Sequence, residues 1–170
     1  MVAFDADILI KLFGHRASAD DKKKLAYLVK TLEETSERVL IPTPALAEYL
    51  ARAGASASAM LDELRKHAVF YMAPFDQKAA VECALALDHD RSAGDKRGGA
   101  AGTWAKIKFD HQIVAIAKVN GVRQIYTEDG AVQRLAMRAG IPALGVADIQ
   151  LPDSEKQVSL FDDNGDGKGG

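Results

Sequence analysis

The chain opens with Met1-Val-Ala-Phe-Asp-Ala-Asp-Ile-Leu-Ile-Lys-Leu-Phe13, in which two acids separate two apolar runs. The first run predicts a buried strand that ends at Asp5, and the second predicts a short helix directly after it. The carboxyl end of a buried strand is the place where open parallel sheets bind their ligands. This stretch therefore predicts the first unit of an α/β fold and a first candidate functional residue, Asp5.

Strands and helices alternate along the rest of the chain. Short apolar runs predict further strands over residues 38–41, 69–72, 123–127 and 141–146, with helical patterns between them. After the second strand, Thr43-Pro44 predicts the start of a helix, with a capping hydroxyl and a proline at the first helical position. Because parallel strands need crossover connections, the pattern predicts a parallel β-sheet flanked by helices on both faces, an α/β/α fold.

The composition is that of one globular domain. The 170 residues are 48% apolar and 27% charged, which suits a single domain with a buried core. The one cysteine, Cys83, excludes an internal disulfide framework and a cysteine-based zinc site, and we expect it in the core. No apolar run approaches the roughly 20 residues that span a bilayer, so a cytoplasmic protein without a membrane segment is predicted.

The end of the chain differs from the rest in composition. We expect residues 1–150 to form the domain and residues 151–170 to form a flexible acidic tail. The last stretch, Asp162-Asp-Asn-Gly-Asp-Gly-Lys-Gly-Gly170, consists of turn-forming and charged residues that have no apolar surface to bury.

Four acidic residues occupy similar places in the predicted fold, near the carboxyl ends of the strands. Asp5 and Asp129 follow strands, Asp110 lies in the first turn of an apolar helix predicted over residues 107–119, and Glu48 lies one turn into the helix after the second strand. Gathering these carboxylates without a cation would cost several kcal/mol in repulsion and desolvation. A hard divalent cation such as Mg²⁺ or Mn²⁺ removes that cost, because it prefers oxygen ligands.

Each of these acids also has a simpler interpretation when it is taken alone. Asp110 and Asp129 could be ordinary N-caps of their helices, and Asp7 could cap a helix that begins at Ile8. Glu48 could be a solvated helix residue.

Four motifs in the sequence carry a resemblance to a known family. Phe4-Asp-Ala-Asp-Ile-Leu-Ile10 resembles the opening Asp-Thr-Asn-(apolar)₃ motif of the PIN domain family, which includes VapC-type toxin ribonucleases. Ile41-Pro-Thr-Pro-Ala-Leu-Ala-Glu48 resembles the second motif, and Phe109-Asp-His-Gln-Ile-Val-Ala-Ile-Ala117 resembles the third. Tyr126-Thr-Glu-Asp129 resembles the fourth. The four motifs occur in the same order as in the family, and the resemblance covers residues 1–146.

The sequence departs from the family pattern at two of these motifs. Asp7 stands where the family usually has Asn, and Ala131-Val132 replaces an aromatic residue that usually follows the fourth acid. Neither change removes a carboxylate. The second makes Glu128 an alternative holder of the role assigned to Asp129.

The resemblance implies a PIN-like fold and a metal-dependent endoribonuclease, the toxin of a toxin–antitoxin pair. It implies that one or two Mg²⁺ or Mn²⁺ ions bind Asp5, Glu48, Asp110 and Asp129, activate a water and offset charge in the transition state. It further implies that Asp7 and Thr127 orient the metal ligands or a water without binding the metal themselves. The partner implied by the resemblance is an antitoxin protein, and a homodimer is a possible assembly.

A basic stretch precedes the third motif. Its cations are predicted to hold the RNA backbone, and the alternative is a solvated loop. They are Lys96, Arg97, Lys106 and Lys108. Trp104, at the end of the Gly-rich stretch 92–103, is interpreted as an anchor for that loop or as a surface for base stacking. We assign His111 no role in the site.

The tail contains one further motif. Gln157-Val-Ser-Leu-Phe161 resembles the pentapeptide by which bacterial replication and repair proteins bind the DNA sliding clamp, with Leu160 and Phe161 entering a pocket of the partner. The alternative is a tail that folds back on its own domain or packs against a second subunit. Two further functions therefore stay open: a DNA-associated PIN nuclease recruited to the clamp, and a catalytically silent PIN-like scaffold that binds nucleic acid or protein.

Overall fold

A computed structural model describes residues 1–14, 17–92 and 103–153. The described chain forms a five-stranded, fully parallel sheet in the order β3-β2-β1-β4-β5. The strands are β1 (Val2–Phe4), β2 (Val39–Pro42), β3 (Phe70–Ala73), β4 (Ile125–Tyr126) and β5 (Ala143–Leu144). Because β1 lies at the centre with β2 and β4 on either side, the residues that follow these three strands meet at one edge of the sheet.

Helices connect the strands and cover both faces of the sheet, as predicted. The helices are α1 (Ala6–Phe13), α2 (Ala19–Glu34), α3 (Thr43–Ala53), α4 (Ala57–Lys66), α5 (Gln77–Ser92), α6 (Trp104–Val119) and α7 (Gly130–Arg138), with 3₁₀ turns at Gly54–Ser56 and Val146–Asp148.

Alternating strand residues divide the core into two layers, because successive side chains of a strand point to opposite faces. Ala3, Leu40 and Ile125 pack with apolar residues of α6 and α7 on one face. Phe4 and Tyr126 pack on the other face with residues of α1, α2 and α4, and their rings meet edge to face at 5.6 Å. The sheet is therefore a rigid, buried platform for whatever lies at its edges.

Three predicted helix starts are wrong in detail. Helix α6 begins at Trp104 and not at Ile107, because the hydroxyl of Thr103 accepts a hydrogen bond from the Lys106 N–H and caps the helix. Asp110 therefore lies in the second turn and is not an N-cap.

The other two concern Thr43 and Asp7. The Thr43 hydroxyl caps no helix; it accepts a hydrogen bond from the Phe75 N–H, and Pro42 occupies the N-cap position of α3. Asp7 is not a cap either, because α1 begins at Ala6 and Asp5 is its N-cap.

The described chain stays packed at its end, where Leu151 is buried. The predicted tail falls mostly outside the described residues, and so do Gln157, Leu160 and Phe161 of the clamp-like motif. Cys83 is buried in α5, as expected. Among the described helices, none combines the length and the apolar character that crossing a membrane requires.

Candidate functional site

Asp5 lies at the centre of the carboxyl edge of the sheet, directly after β1. Its carboxylate is 5% exposed and accepts hydrogen bonds from the Ala6 N–H (2.7 Å) and from the hydroxyl of the fully buried Thr127 (2.8 Å). Burial raises the pKa of Asp5 above its usual range, although both hydrogen bonds oppose this shift. The negative charges of Glu48 and Asp129 raise it further.

Asp129 follows β4, the neighbour of β1, and caps α7. Its Oδ1 accepts a hydrogen bond from the Ala131 N–H at 2.7 Å, and its own N–H donates to the Thr127 hydroxyl at 3.0 Å. Its Oδ2 lies 2.6 Å from the Lys106 ammonium. Burial acts to raise the pKa of Asp129, but the bonds from Lys106 and Ala131 outweigh it and hold that pKa below its usual value.

Asp110 reaches the same edge from α6. It is 4% exposed, and its Oδ1 lies 3.3 Å from the ammonium of Lys106, one turn earlier on the helix. Burial raises the pKa of Asp110; Lys106 opposes this, and the charges of Asp129 and Asp5 add to it. Three aspartates from three different elements therefore influence one another, and Lys106 bridges two of them.

Glu48 lies at the margin of this group. Its side chain is about half exposed and forms an ion pair with Arg52 at 3.0 Å, one turn later on α3. Its charge still raises the pKa of Asp5. The structure thus brings Asp5, Asp110 and Asp129 together and leaves Glu48 nearby, bound to a cation of its own.

Asp7 and Glu128 support the backbone beside the aspartates. The Asp7 Oδ2 accepts a hydrogen bond from the Glu128 N–H at 2.7 Å, which ties α1 to the turn after β4. Burial, with the charge of Asp5 as the second cause, raises the pKa of Asp7 to about 7. The Glu128 side chain accepts hydrogen bonds from Lys11 and from the Val146 N–H, so its contacts differ from those of Asp129.

The donor set has the chemistry of a hard divalent ion, since every candidate ligand is a carboxylate oxygen. Within the described ranges, however, no three His, Cys, Asp or Glu side chains are arranged so that they could hold a metal ion. The Lys106 ammonium instead contacts oxygens of Asp110 and Asp129. The residues fit a metal by chemistry, and the present arrangement is that of carboxylates bound to a lysine.

Helix α6 also carries exposed aromatic residues and a lysine. Trp104 and Phe109 are 54% and 48% exposed, and the Lys108 ammonium lies 6.0 Å from the centre of the Trp104 ring. Lys96 and Arg97, predicted with Lys106 and Lys108 to hold a nucleic-acid backbone, lie outside the described residues, as does the loop that Trp104 was expected to anchor.

His111 is part of a separate buried network that sequence reasoning did not find. Its Nδ1 is within hydrogen-bond distance of the Ile107 carbonyl oxygen (2.8 Å), and its Nε2 of an Asp90 carboxylate oxygen (3.0 Å). Arg138 donates to that same oxygen at 2.9 Å, so the network joins α5, α6 and α7. Its members are 21 to 48 residues apart, and no local spacing could have indicated them.

No family model and no curated protein matches the sequence. Among solved structures, the fold is similar to a chain of VapBC2 from Rickettsia felis, a complex crystallised with a DNA fragment from its promoter. The TM-score is 0.62 with 12% sequence identity, and the match covers 85% of this chain and 98% of that chain. At this level of identity the likeness concerns the fold alone, and it shows that the chain has a PIN-like α/β/α fold.

Proposed function

We propose that this protein is a metal-dependent endoribonuclease. The observation that carries the proposal is the meeting of three aspartates at the carboxyl edge of the sheet, the buried Asp5 and Asp110 and the partly exposed Asp129. These residues would hold Mg²⁺ or Mn²⁺, with Glu48 at the margin of the site. When bound, the metal would lower the pKa of a water to supply the nucleophile and would offset charge on the phosphate in the transition state.

The neighbouring residues would position these ligands. The Thr127 hydroxyl donates to Asp5 and accepts from the N–H of Asp129, so one buried group fixes two candidate ligands. Asp7 holds the backbone of Glu128, directly before Asp129. Orientation of this kind keeps carboxylates in one geometry while charge develops on the substrate.

The cationic surface of α6 would bind the RNA backbone. Lys108 is exposed beside the Trp104 ring, on the same helix as Asp110 but on a different face of it. Cation contacts to phosphates would hold the strand in a salt-dependent manner. The exposed Trp104 ring supports the stacking interpretation over that of a buried anchor.

We further propose a cytoplasmic toxin that is inhibited by an antitoxin protein, since the similar structure is a VapBC complex. A homodimer is a secondary proposal. Co-purification with the product of the adjacent gene tests the antitoxin, and sedimentation of the isolated protein tests the dimer.

The clamp-bound DNA nuclease rests on residues outside the described ranges, and a clamp pull-down with and without residues 153–170 tests it.

The decisive experiment measures cleavage of single-stranded RNA, single-stranded DNA and flapped DNA with Mn²⁺. We expect Mn²⁺-dependent cleavage of RNA, and a loss of about 10³-fold or more in Asp5→Asn and in Asp110→Asn, because metal sites contribute several kcal/mol to such reactions. Asp62→Asn, an exposed acid on α4, is the control and should keep full activity. Full activity in both site variants would refute the metal site, and cleavage of flapped DNA alone would favour the clamp-bound enzyme.

A further inference from the structure

Lys106 occupies an energetically unfavourable place in its helix. It is the third residue of α6, where the helix dipole disfavours a positive charge. Its side chain is half exposed and could remain hydrated, yet its ammonium lies 2.6 Å from Asp129 and 3.3 Å from Asp110. The two aspartates therefore offset both the dipole and the loss of side-chain freedom.

The charge of Lys106 only partly balances its surroundings. Asp5, Asp110 and Asp129 lie close enough to affect one another electrostatically. Among the cations of the described chain, Arg52 pairs with Glu48, and Lys106 is the one shown in ion pairs with Asp110 and Asp129. Three carboxyl groups thus lie near one ammonium group in a mostly buried place.

The position of Lys106 also excludes a metal from the same oxygens. A divalent ion that used Asp110 Oδ1 and Asp129 Oδ2 would lie next to an ammonium group, and two cations at such a distance repel strongly where water is scarce. The lysine stem is flexible and half exposed, so the ammonium can leave by rotating towards solvent.

We propose that Lys106 is a built-in counter-cation, which holds Asp110 and Asp129 together in the metal-free protein and competes with the divalent ion for them. This inference rests on the proposed function and adds a regulation to the same site. Metal binding would exchange one cation for another, and the released ammonium would remain on the face of α6 that carries Asp110, at the edge where the phosphate of a substrate would meet the metal. Metal binding would therefore also increase the positive charge that is available to bind the phosphate of a substrate.

The test measures Mn²⁺ binding without RNA, by calorimetry and by the Mn²⁺-induced change in melting temperature of the full-length protein. Lys106→Met keeps the length of the stem and removes the charge. We expect it to bind Mn²⁺ about tenfold more tightly, because a neighbouring positive charge is gone. It should melt at a lower temperature without metal and gain more from Mn²⁺ than the wild type gains.

Lys118→Met is the matched control, since Lys118 is an ion-paired lysine at the other end of the same helix. It should bind Mn²⁺ as the wild type does. If Lys106→Met fails to fold, Lys106→Arg retains the charge and the ion pairs and should bind Mn²⁺ no more tightly than the wild type. Tighter binding by Lys106→Arg would overturn the proposal.

The outcomes separate this inference from the proposed function. Equal or weaker Mn²⁺ binding by Lys106→Met, with clear binding by the wild type, would overturn the competition and leave the metal site standing. Binding by Lys106→Met alone would support the competition strongly. Absence of binding in the wild type and in both Lys106 variants would overturn the proposed function and this inference together.

Discussion

The two edges of the same sheet carry opposite balances of charge. At the amino edge, the carboxylate of Glu37 accepts hydrogen bonds from Arg123 at 2.6 and 2.9 Å and from the Met1 ammonium at 2.7 Å. Two cations thus surround one acid, and the bond from Arg123 is the main cause that lowers the pKa of Glu37 to about 2. At the carboxyl edge, Lys106 bridges two of three aspartates, and burial raises the pKa values of Asp5 and Asp110.

The backbone does not explain this difference, because both clusters lie at the ends of β1 and its neighbours. The side chains explain it. At the amino edge the one acid is more than compensated by its two cations and should add to the stability of the fold, whereas the carboxyl edge should reduce it. Functional sites are where such unfavourable arrangements are retained, since the residues there are selected for chemistry more than for stability. Substitutions at the two edges should therefore change stability in opposite directions.

The largest effect on stability is expected at Thr127, which is fully buried between Asp5 and Asp129. Thr127→Val keeps the shape but leaves an oxygen of Asp5 and the N–H of Asp129 without their partner. We expect a loss of about 3 kcal/mol in the free energy of unfolding, measured by urea denaturation, because each buried group left unpaired costs roughly 1–3 kcal/mol. Thr127→Ser keeps the hydroxyl and should lose only about 1 kcal/mol. Equal losses in the two variants would show that the hydroxyl does not organise this edge.

At the amino edge, Glu37→Gln should destabilise the protein at neutral pH by about 1 kcal/mol, a value reduced for the partial exposure of the pair. The folded protein keeps Glu37 ionised down to about pH 2, whereas the unfolded chain protonates it near 4.5. Its contribution is therefore complete above that value and is lost as the pH falls towards 2. Thermal unfolding of both proteins from neutral pH to about pH 2.5 should show their difference shrinking. A constant difference would mean that the charge of Glu37 is not what stabilises this edge.

The counterpart at the carboxyl edge is Asp110→Asn, studied without metal at about pH 8, far above the usual pKa of an aspartate. The amide can still accept the bond from Lys106, and it removes a buried negative charge next to Asp129 and Asp5. We expect it to stabilise the protein by about 1 kcal/mol, because burial and like charges both disfavour the ionised form. Destabilisation by both Asp110→Asn and Glu37→Gln would contradict the opposite signs that distinguish the two edges.

Much of the fold could be predicted from the sequence. Each strand is a short apolar run, and the helical segments between the runs are long enough to cross over and return as parallel strands. Asp5 and Asp129 were placed correctly for the same reason: a residue that follows a strand is located as soon as the strand is. Asp110 was placed at the right edge but in the wrong turn. The apolar periodicity of α6 begins at Ile107, whereas the helix itself begins earlier, at an exposed turn capped by Thr103.

That misplaced start also concealed the pairing of Lys106, predicted only as a contact for the RNA backbone, with Asp110. Once α6 begins at Trp104, Lys106 and Asp110 are one turn apart on the same helix, a spacing at which opposite charges meet. The contact of Lys106 with Asp129 and the network of Asp90, His111 and Arg138 are different in kind. They depend on how helices from distant parts of the chain pack together, and no local pattern encodes that.

The smallest effect is expected at Lys108, which tests whether the exposed surface formed by Trp104 and Lys108 binds RNA. Trp104 is the one tryptophan of the chain, so its fluorescence reports on this surface directly. In EDTA, where cleavage is prevented, a single-stranded RNA should quench that fluorescence, because bases stack on exposed aromatic rings. Lys108→Met should reduce the slope of log affinity against log salt by about 0.7, the value of one phosphate contact on a single strand. Lys30→Met, an exposed lysine on α2, should leave the slope unchanged. Equal slopes in the two variants, or no quenching at all, would show that the RNA binds elsewhere. The cluster of carboxyl groups at the carboxyl edge would then have to be explained without a phosphate held by α6.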